Sequence, residues 1–269
     1  MIPCTLKSLP KHLELEGIRV AGKINPINHP YTGRLSAIAP RPEFLAVMIT
    51  RYWQIGGVKL GVKFIDGAPQ DLQARILAHC NAWTKTANVQ FVLSNTDPQV
   101  RIARTPGDGY WSYLGTDILS IPKDEPTMNL DSFTMNTPES EYKRVVRHES
   151  GHTLGFPHEH VRRELVALID PAKAIPYFER TQGWSAQDVR DQVLTPIEEK
   201  QLLGTEKADP ESIMCYQLPG SITYSGKPII GGSDIDAEDY AFVAKIYPIN
   251  STPPPKPKRK GCFLLRWFA

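Results

Sequence analysis

His148-Glu149-Ser150-Gly151-His152-Thr153-Leu154-Gly155-Phe156-Pro157-His158 is the stretch that decides how this 269-residue chain reads. Histidines four apart on a helix point the same way, because four residues advance about 400°. His148 and His152 can then bring two imidazole nitrogens to one zinc ion, at about 2.0–2.1 Å each. Glu149 sits one position round the helix, aside from that pair but able to take a proton from water at the metal. Gly155 permits a positive φ and a sharp turn, so that His158 returns as the third ligand. Three protein ligands leave a fourth position for water, which is the layout of a catalytic rather than a structural zinc. The expected cofactor is therefore one catalytic Zn2+.

Working outward, Pro138 suits the first turn of a helix running to about Leu154, with Gly155 as its left-handed stop. Upstream, residues 58–65 alternate apolar and polar as a half-buried strand, and Asp66-Gly67 turns the chain. Leu72, Ile76, Cys80 and Trp83 recur at helical spacing between Pro69 and Trp83. Residues 89–93, 100–103, 118–121 and 127–130 are short β-rich runs. Downstream the pattern is less regular. Ser185 with Asp188 forms a capping box beside Trp184 and Val189, and Asp236 can cap a last helix with Tyr240, Val243, Ala244 and Tyr247 on one face. Residues 1–45 are Pro-, Gly- and Asn-rich without a sustained period and read as an irregular lead-in.

The composition, 41% hydrophobic and 22% charged, is that of a soluble globular protein, and a net charge of +2 gives no field that favours nucleic acid. Charged residues and Pro10 break every apolar run in the first twenty residues, so they lack the core of a secretory signal. No run approaches the roughly 20 apolar residues of a membrane span. The expected location is cytoplasmic, or outside the cell by a non-classical route. Cys4, Cys80, Cys215 and Cys262 show no C-x-x-C spacing, and Cys80 reads as a small buried residue. Pro3-Cys4 raises the idea of an inhibitory thiol on the zinc, but a lone cysteine in an irregular segment rarely does this. His160 reads as a polar neighbour of the site rather than a fourth ligand, and His12, His29 and His79 have no metal spacing. The Pro-rich basic linker and apolar tail, residues 251–269 with Cys262, have the makings of a peripheral membrane contact, but a disordered end is the favoured reading.

The extended zinc motif resembles that of the metzincin metallopeptidases, and within them the astacin family, whose motif continues with Phe after the Gly and Glu after the third His, as Phe156 and Glu159 do here. Ser212-Ile213-Met214-Cys215-Tyr216 resembles the family's Met-turn, with Cys215 in place of a His. The segment from Gly109 to Gly115 is also similar, with Trp111 where the family carries a cysteine. The resemblance implies that Met214 forms a hydrophobic floor under the zinc. It implies that Tyr216 is a fifth ligand that swings to stabilise the oxyanion, and that the substrate lies extended along an edge strand at residues 118–121. It also implies that Glu159 can meet an N-terminus freed by activation. The family's disulfide cysteines, and a pro-segment bearing its zinc-blocking aspartate, are not evident.

These readings combine into an α+β, metzincin-like (zincin) catalytic domain at residues 46–250, between the lead-in and the tail. It has a twisted, mostly parallel sheet with two main helices in the N-terminal lobe, and a largely irregular C-terminal lobe ending in a helix. The expected function is a zinc metalloendopeptidase that acts on a protein or peptide bound in the cleft. The rival readings are a zinc-binding interaction protein without catalysis, against which the presence of Glu149 argues, and a zinc hydrolase of a non-protein amide.

Overall fold

Six strands form one sheet in the order β1-β5-β6-β4-β2-β3. They are β1 (Cys4–Lys7), β2 (Val58–Phe64), β3 (Val89–Leu93), β4 (Val100–Ala103), β5 (Tyr110–Tyr113) and β6 (Met128–Leu130). The computed structural model describes residues 4–28, 50–54, 56–197 and 207–249. His29 and the tail at 251–269 lie outside the described residues. Every strand pairing is parallel except β5 with β6, so the expectation of a mostly parallel sheet holds.

β2 lies between β3 and β4, and five of its seven residues are buried, with only Lys59 and Lys63 facing solvent. Leu72, Ile76 and Cys80 on helix α2 (Gln70–Cys80) pack into the same core, together with Val145 and Val146. Helix α3, residues 139–153, carries the zinc motif. Its middle turn, Tyr142–Val146, is wound as a π-helix, and Arg147–Thr153 continues as α-helix with six of its seven residues buried. A π-turn re-aims the helical faces that follow it and is frequent at functional sites. The helix stops as expected at Gly155, whose φ is +98. A Cβ there would stand 3.0 Å from both the Arg51 carbonyl oxygen and the Tyr52 ring, so the position requires glycine on two counts.

The chain beyond Gly155 forms a second lobe. It holds α4 (Arg163–Val166), α5 (Pro171–Gln182), α6 (Ala186–Val189) and α7 (Ala237–Ile246). The expected capping box of Ser185 with Asp188 forms, and the expected cap Asp236 forms a second box with Asp239. The lobe is more helical than its sequence suggested, because the 12-residue α5 is capped by Asp170 and closed by Gly183. Long-range bonds clamp it to the end of α3. Tyr247 Oη donates to the Leu154 carbonyl at 2.5 Å and accepts from the Trp53 amide at 3.0 Å.

Two expectations are corrected. Residues 118–121 are not a strand: Gly115–Ser120 is a 3-10 helix. Gly115, at φ +46, turns the chain so that the Thr116 amide donates to the Arg51 carbonyl at 3.0 Å, and Asp117 pairs with the Arg51 guanidinium. The lead-in is not irregular throughout either. Cys4–Lys7 joins the sheet, and α1 (Lys11–Ile24) is a helix of 14 residues. The Asn28 side chain then fastens the end of this segment, donating to the Ala21 and Tyr52 carbonyls at 3.0 and 2.7 Å.

Candidate metal centre and active site

His148 and His152 leave α3 on one face, and Gly155 turns the chain to bring His158 opposite them. All three are buried, and their ligand atoms lie within 4.8 Å of one another. His148 Nδ1 lies 2.6 Å from the Ile213 carbonyl, and His152 Nδ1 lies 2.7 Å from that of Phe156. A carbonyl can only accept, so both Nδ1 atoms carry the proton and both Nε2 atoms present a lone pair. Those lone pairs face His158 Nε2 at 3.2 and 2.9 Å. Burial lowers all three basicities, taking His148 down to about 4, so the rings are neutral. Two fixed lone pairs and a third ring nitrogen thus converge in a dry site, a donor set suited to a cation. Two nitrogens bound tetrahedrally at about 2.0–2.1 Å lie roughly 3.3 Å apart, close to the spacing found here. The donor set therefore fits a zinc ion.

Glu149 is fully buried, and neither carboxylate oxygen has a hydrogen-bond partner among the described residues. Burial pushes the carboxyl up to about 8. The Cys4 thiol and the Ser112 hydroxyl lie beside it and pull the other way, without full hydrogen-bond geometry. A buried carboxylate with nothing to accept from is costly as structure, but it suits a group that exchanges protons. Ser112 Oγ does donate to the Glu149 backbone carbonyl at 3.2 Å, which ties β5 to the helix.

The Met-turn closes the site from below. Cβ at Gly151, between the two helical ligands, would stand 2.5 Å from Met214 Sδ, so this helical glycine gives the thioether its room. The Met214 carbonyl accepts from the Glu159 amide at 2.8 Å, which joins the turn to the loop carrying His158. Tyr216 follows, with its ring 4.3 Å from that of His158 and stacked at 3.9 Å on that of His160. Burial raises its phenol well above the ordinary value, so it stays protonated and can donate. Its hydroxyl donates to the Cys4 carbonyl. Glu159 Oε1 accepts from the Asp209 amide at 3.0 Å and from Arg162 at 3.2 Å.

Sequence reasoning missed two participants and discounted a third. Asp239 follows the expected cap Asp236 and was not singled out. Its carboxylate also accepts from Ser212 Oγ at 2.6 Å and from the Ile213 amide at 2.9 Å, holding the Met-turn. Arg144 is paired with Glu141 at 2.7 Å and shares a cavity with His148 and Tyr216. The third is Cys4, which lines the same cavity. The strand beside the site is also corrected: β5, not residues 118–121, runs past α3, and it lies between β1 and β6 in the sheet.

A single-ion centre on the floor helix of a two-lobed α+β domain, closed by a methionine turn, defines a metallopeptidase fold of the metzincin type. The peptidase family described as Astacin matches residues 48–170. The structure of myroilysin superposes with a TM-score of 0.70 at 32% identity, over 75% of this chain and 97% of that one. The chain belongs to the astacin family. The hatching-enzyme zinc-protease HCE-1 of the medaka Oryzias latipes shares the fold, with a TM-score of 0.50 at 19% identity over 78% of this chain and 98% of that one. The zinc metalloproteinase nas-27 of Caenorhabditis elegans is 24% identical over 239 residues, which are 86% of this chain and 50% of that protein. The chain thus spans about half the length of that curated relative. Among the described residues no helix is long and apolar enough to cross a membrane.

Proposed function

We propose that this chain is a zinc metalloendopeptidase, with His148, His152 and His158 as metal ligands, Glu149 as general base and Tyr216 as oxyanion donor. The observation that carries the reading is the convergence of three buried imidazole Nε2 atoms beside a buried carboxylate without hydrogen-bond partners among the described residues. A zinc ion bound there supplies a Lewis acid that acidifies water and polarises the scissile carbonyl. Glu149 takes the proton of the attacking water and returns it to the nitrogen of the leaving amine, and its raised basicity suits both transfers. The Tyr216 hydroxyl, kept protonated by burial, donates to the oxygen on which negative charge develops. Met214 fills the floor beneath the histidines and fixes their rings by packing. Glu159 holds the loop behind His158 through Asp209 and Arg162.

The substrate is a protein or peptide held extended along β5, in the place that β1 fills in this structure, since strand addition to a sheet is the common way to hold a peptide main chain. Ser112 of β5 donates to the Glu149 backbone carbonyl, which sets that strand beside the site. The domain takes in residues 46–250.

The test is cleavage of a mixed peptide library by zinc-loaded wild type and Glu149→Gln. Each is assayed as isolated and after brief trypsin treatment followed by trypsin inhibition. The expected result is internal peptide cleavage by the wild type and a loss of about 10²–10⁴-fold in Glu149→Gln with zinc retained. A zinc-loaded wild type that cuts nothing in either condition would contradict the proposal.

A further inference from the structure

β1 lies where a substrate strand would lie, so its side chains show what the sheet offers to a peptide there. It pairs with β5 from Cys4 opposite Tyr110 to Lys7 opposite Tyr113. Side chains along a strand alternate between its two faces. Ser112 turns towards α3, where its hydroxyl donates to the Glu149 carbonyl, so Trp111 and Tyr113 turn to the other face. Lys7, the one charged residue of β1, shares that face and stands diagonally from Trp111, within reach of a long side chain. Its ammonium sits 3.4 Å from the centre of the Trp111 ring, over its face. Trp111 Nε1 donates to Asp108 Oδ2 at 2.8 Å, which fixes the indole plane beneath the cation. The Tyr113 ring meets that indole edge-on, with centroids 5.9 Å apart. Half-burial lowers the Lys7 basicity, and the Asp108 and Glu125 carboxylates oppose it by favouring the charged form. An aromatic face flanked by carboxylates is a seat for a cation. Trp111 stands where the astacin family carries a cysteine, so the seat belongs to this chain rather than to the family's common pattern.

We infer that Trp111, flanked by Asp108 and Glu125, forms a subsite for a lysine or arginine side chain of the substrate, a subsite that Lys7 occupies in this structure. The inference rests on the proposed peptidase reading and gives it a substrate class, peptides with a basic residue about three residues from the bond that is cut. The spacing is read from β1. Cys4 Sγ lies within 4.8 Å of a ring nitrogen of His148 and a carboxylate oxygen of Glu149, so the Cys4 position marks the reacting centre. Lys7 stands three residues further on, about 10 Å away along an extended strand. The seat is on the sheet face turned from α3, so Trp111 selects the substrate without touching the reacting atoms. A planar guanidinium stacks on an indole as readily as an ammonium covers it, so arginine is accepted with lysine. An acidic side chain at that position meets Asp108 and Glu125 and is rejected. A substrate strand that replaces β1 exchanges one cation for another over the same ring, and the carboxylates keep a partner throughout.

The test starts from cleavage of a combinatorial peptide library by the zinc-loaded full chain, as isolated and after trypsin treatment and inhibition, with Glu149→Gln treated alike as the blank. Lys and Arg are expected to be enriched, and Asp and Glu depleted, at one position about three residues from the cleaved bond. A cleaved peptide is then made again with norleucine in place of that lysine. In wild type kcat/KM should fall about 5–30-fold, mostly through KM. Trp111→Leu should cut the two peptides at rates equal within about twofold, and the norleucine peptide as fast as wild type does. The double variant Asp108→Asn, Glu125→Gln removes two exposed charges and leaves the indole in place, so it decides the matter even where Trp111→Leu fails to fold. It should accept acidic residues at that position and keep only part of the preference for lysine. Library cleavage without a basic preference on either side of the bond, or a preference undiminished in the folded variants, overturns the subsite and leaves the peptidase standing. No cleavage by wild type in either condition overturns the peptidase reading, and the subsite with it.

Discussion

Gly151→Ala sets two effects of opposite sign against each other, and the structure says which prevails. In a helix interior, alanine is favoured over glycine by about 0.5–1 kcal/mol. The new Cβ, however, would stand 2.5 Å from Met214 Sδ, 3.2 Å from Met214 Cε and 3.1 Å from Trp83 Cζ2, where ordinary carbon contacts lie at about 3.5–4.0 Å. Trp83 cannot retreat, being 1% exposed and held through Nε1 to the Arg147 carbonyl at 2.9 Å. Met214 is fixed at both ends of its residue, its amide on Ser212 Oγ and its carbonyl on the Glu159 amide. The thioether must therefore leave its rotamer or push the turn, at a cost of about 1–3 kcal/mol. The net expectation is a loss of about 0–2.5 kcal/mol, read by urea unfolding of the zinc-loaded chain. In a domain of this size that corresponds to a melting temperature lower by up to roughly 10 °C. Met214→Ala alone should cost about 2–5 kcal/mol, but the double variant should cost less than the sum, by about 1 kcal/mol or more. A Gly151→Ala chain more stable than wild type, or strict additivity in the double variant, would refute the claim that this glycine makes room for the Met-turn.

Burial raises the Asp239 carboxyl from its usual range to about 6. Between about pH 4 and 6 the folded chain then holds a proton that the unfolded chain has released, so this residue's contribution to stability falls as pH rises, by about 1.4 kcal/mol per unit. The stability of wild type relative to Asp239→Asn should therefore drop by about 2 kcal/mol from pH 4 to pH 6, and a flat difference in paired unfolding curves would contradict this. Tyr216→Phe in trypsin-clipped protein should lower kcat by about 10²–10³ with KM and zinc content little changed, as removal of one oxyanion donor does. A change confined to KM would assign the tyrosine to binding instead.

The zinc triad was legible because its ligands are local: one helical repeat and one glycine turn position all three within eleven residues. The strands at 58–64, 89–93 and 100–103, the capping box of Ser185 with Asp188 and the Asp236 cap were legible for the same reason. Most of what escaped depends on distant partners. Helix α1 does carry a helical period, with Leu13, Gly17, Ala21 and Ile24 along one face, but the Pro-, Gly- and Asn-rich composition around it masks so short a pattern, half of it small residues. Residues 118–121 have a strand's composition, yet Arg51, far away in sequence, captures the Thr116 amide and Asp117 and coils the segment. A short apolar run does not by itself choose between the two conformations. Asp239 escaped because its hold on Ser212 and Ile213 spans more than twenty-five residues. Cys4 looked incidental because only the pairing of β1 with β5 carries it to Glu149.

The central claim is that three buried imidazoles hold one catalytic zinc beside Glu149. Its most direct test is an anomalous difference map, recorded at the zinc absorption edge from crystals of the zinc-loaded protein. The account predicts one strong peak per chain, within bonding distance of Nε2 of His148, His152 and His158. A peak on other side chains, or none at the point where those three nitrogens meet, would contradict it.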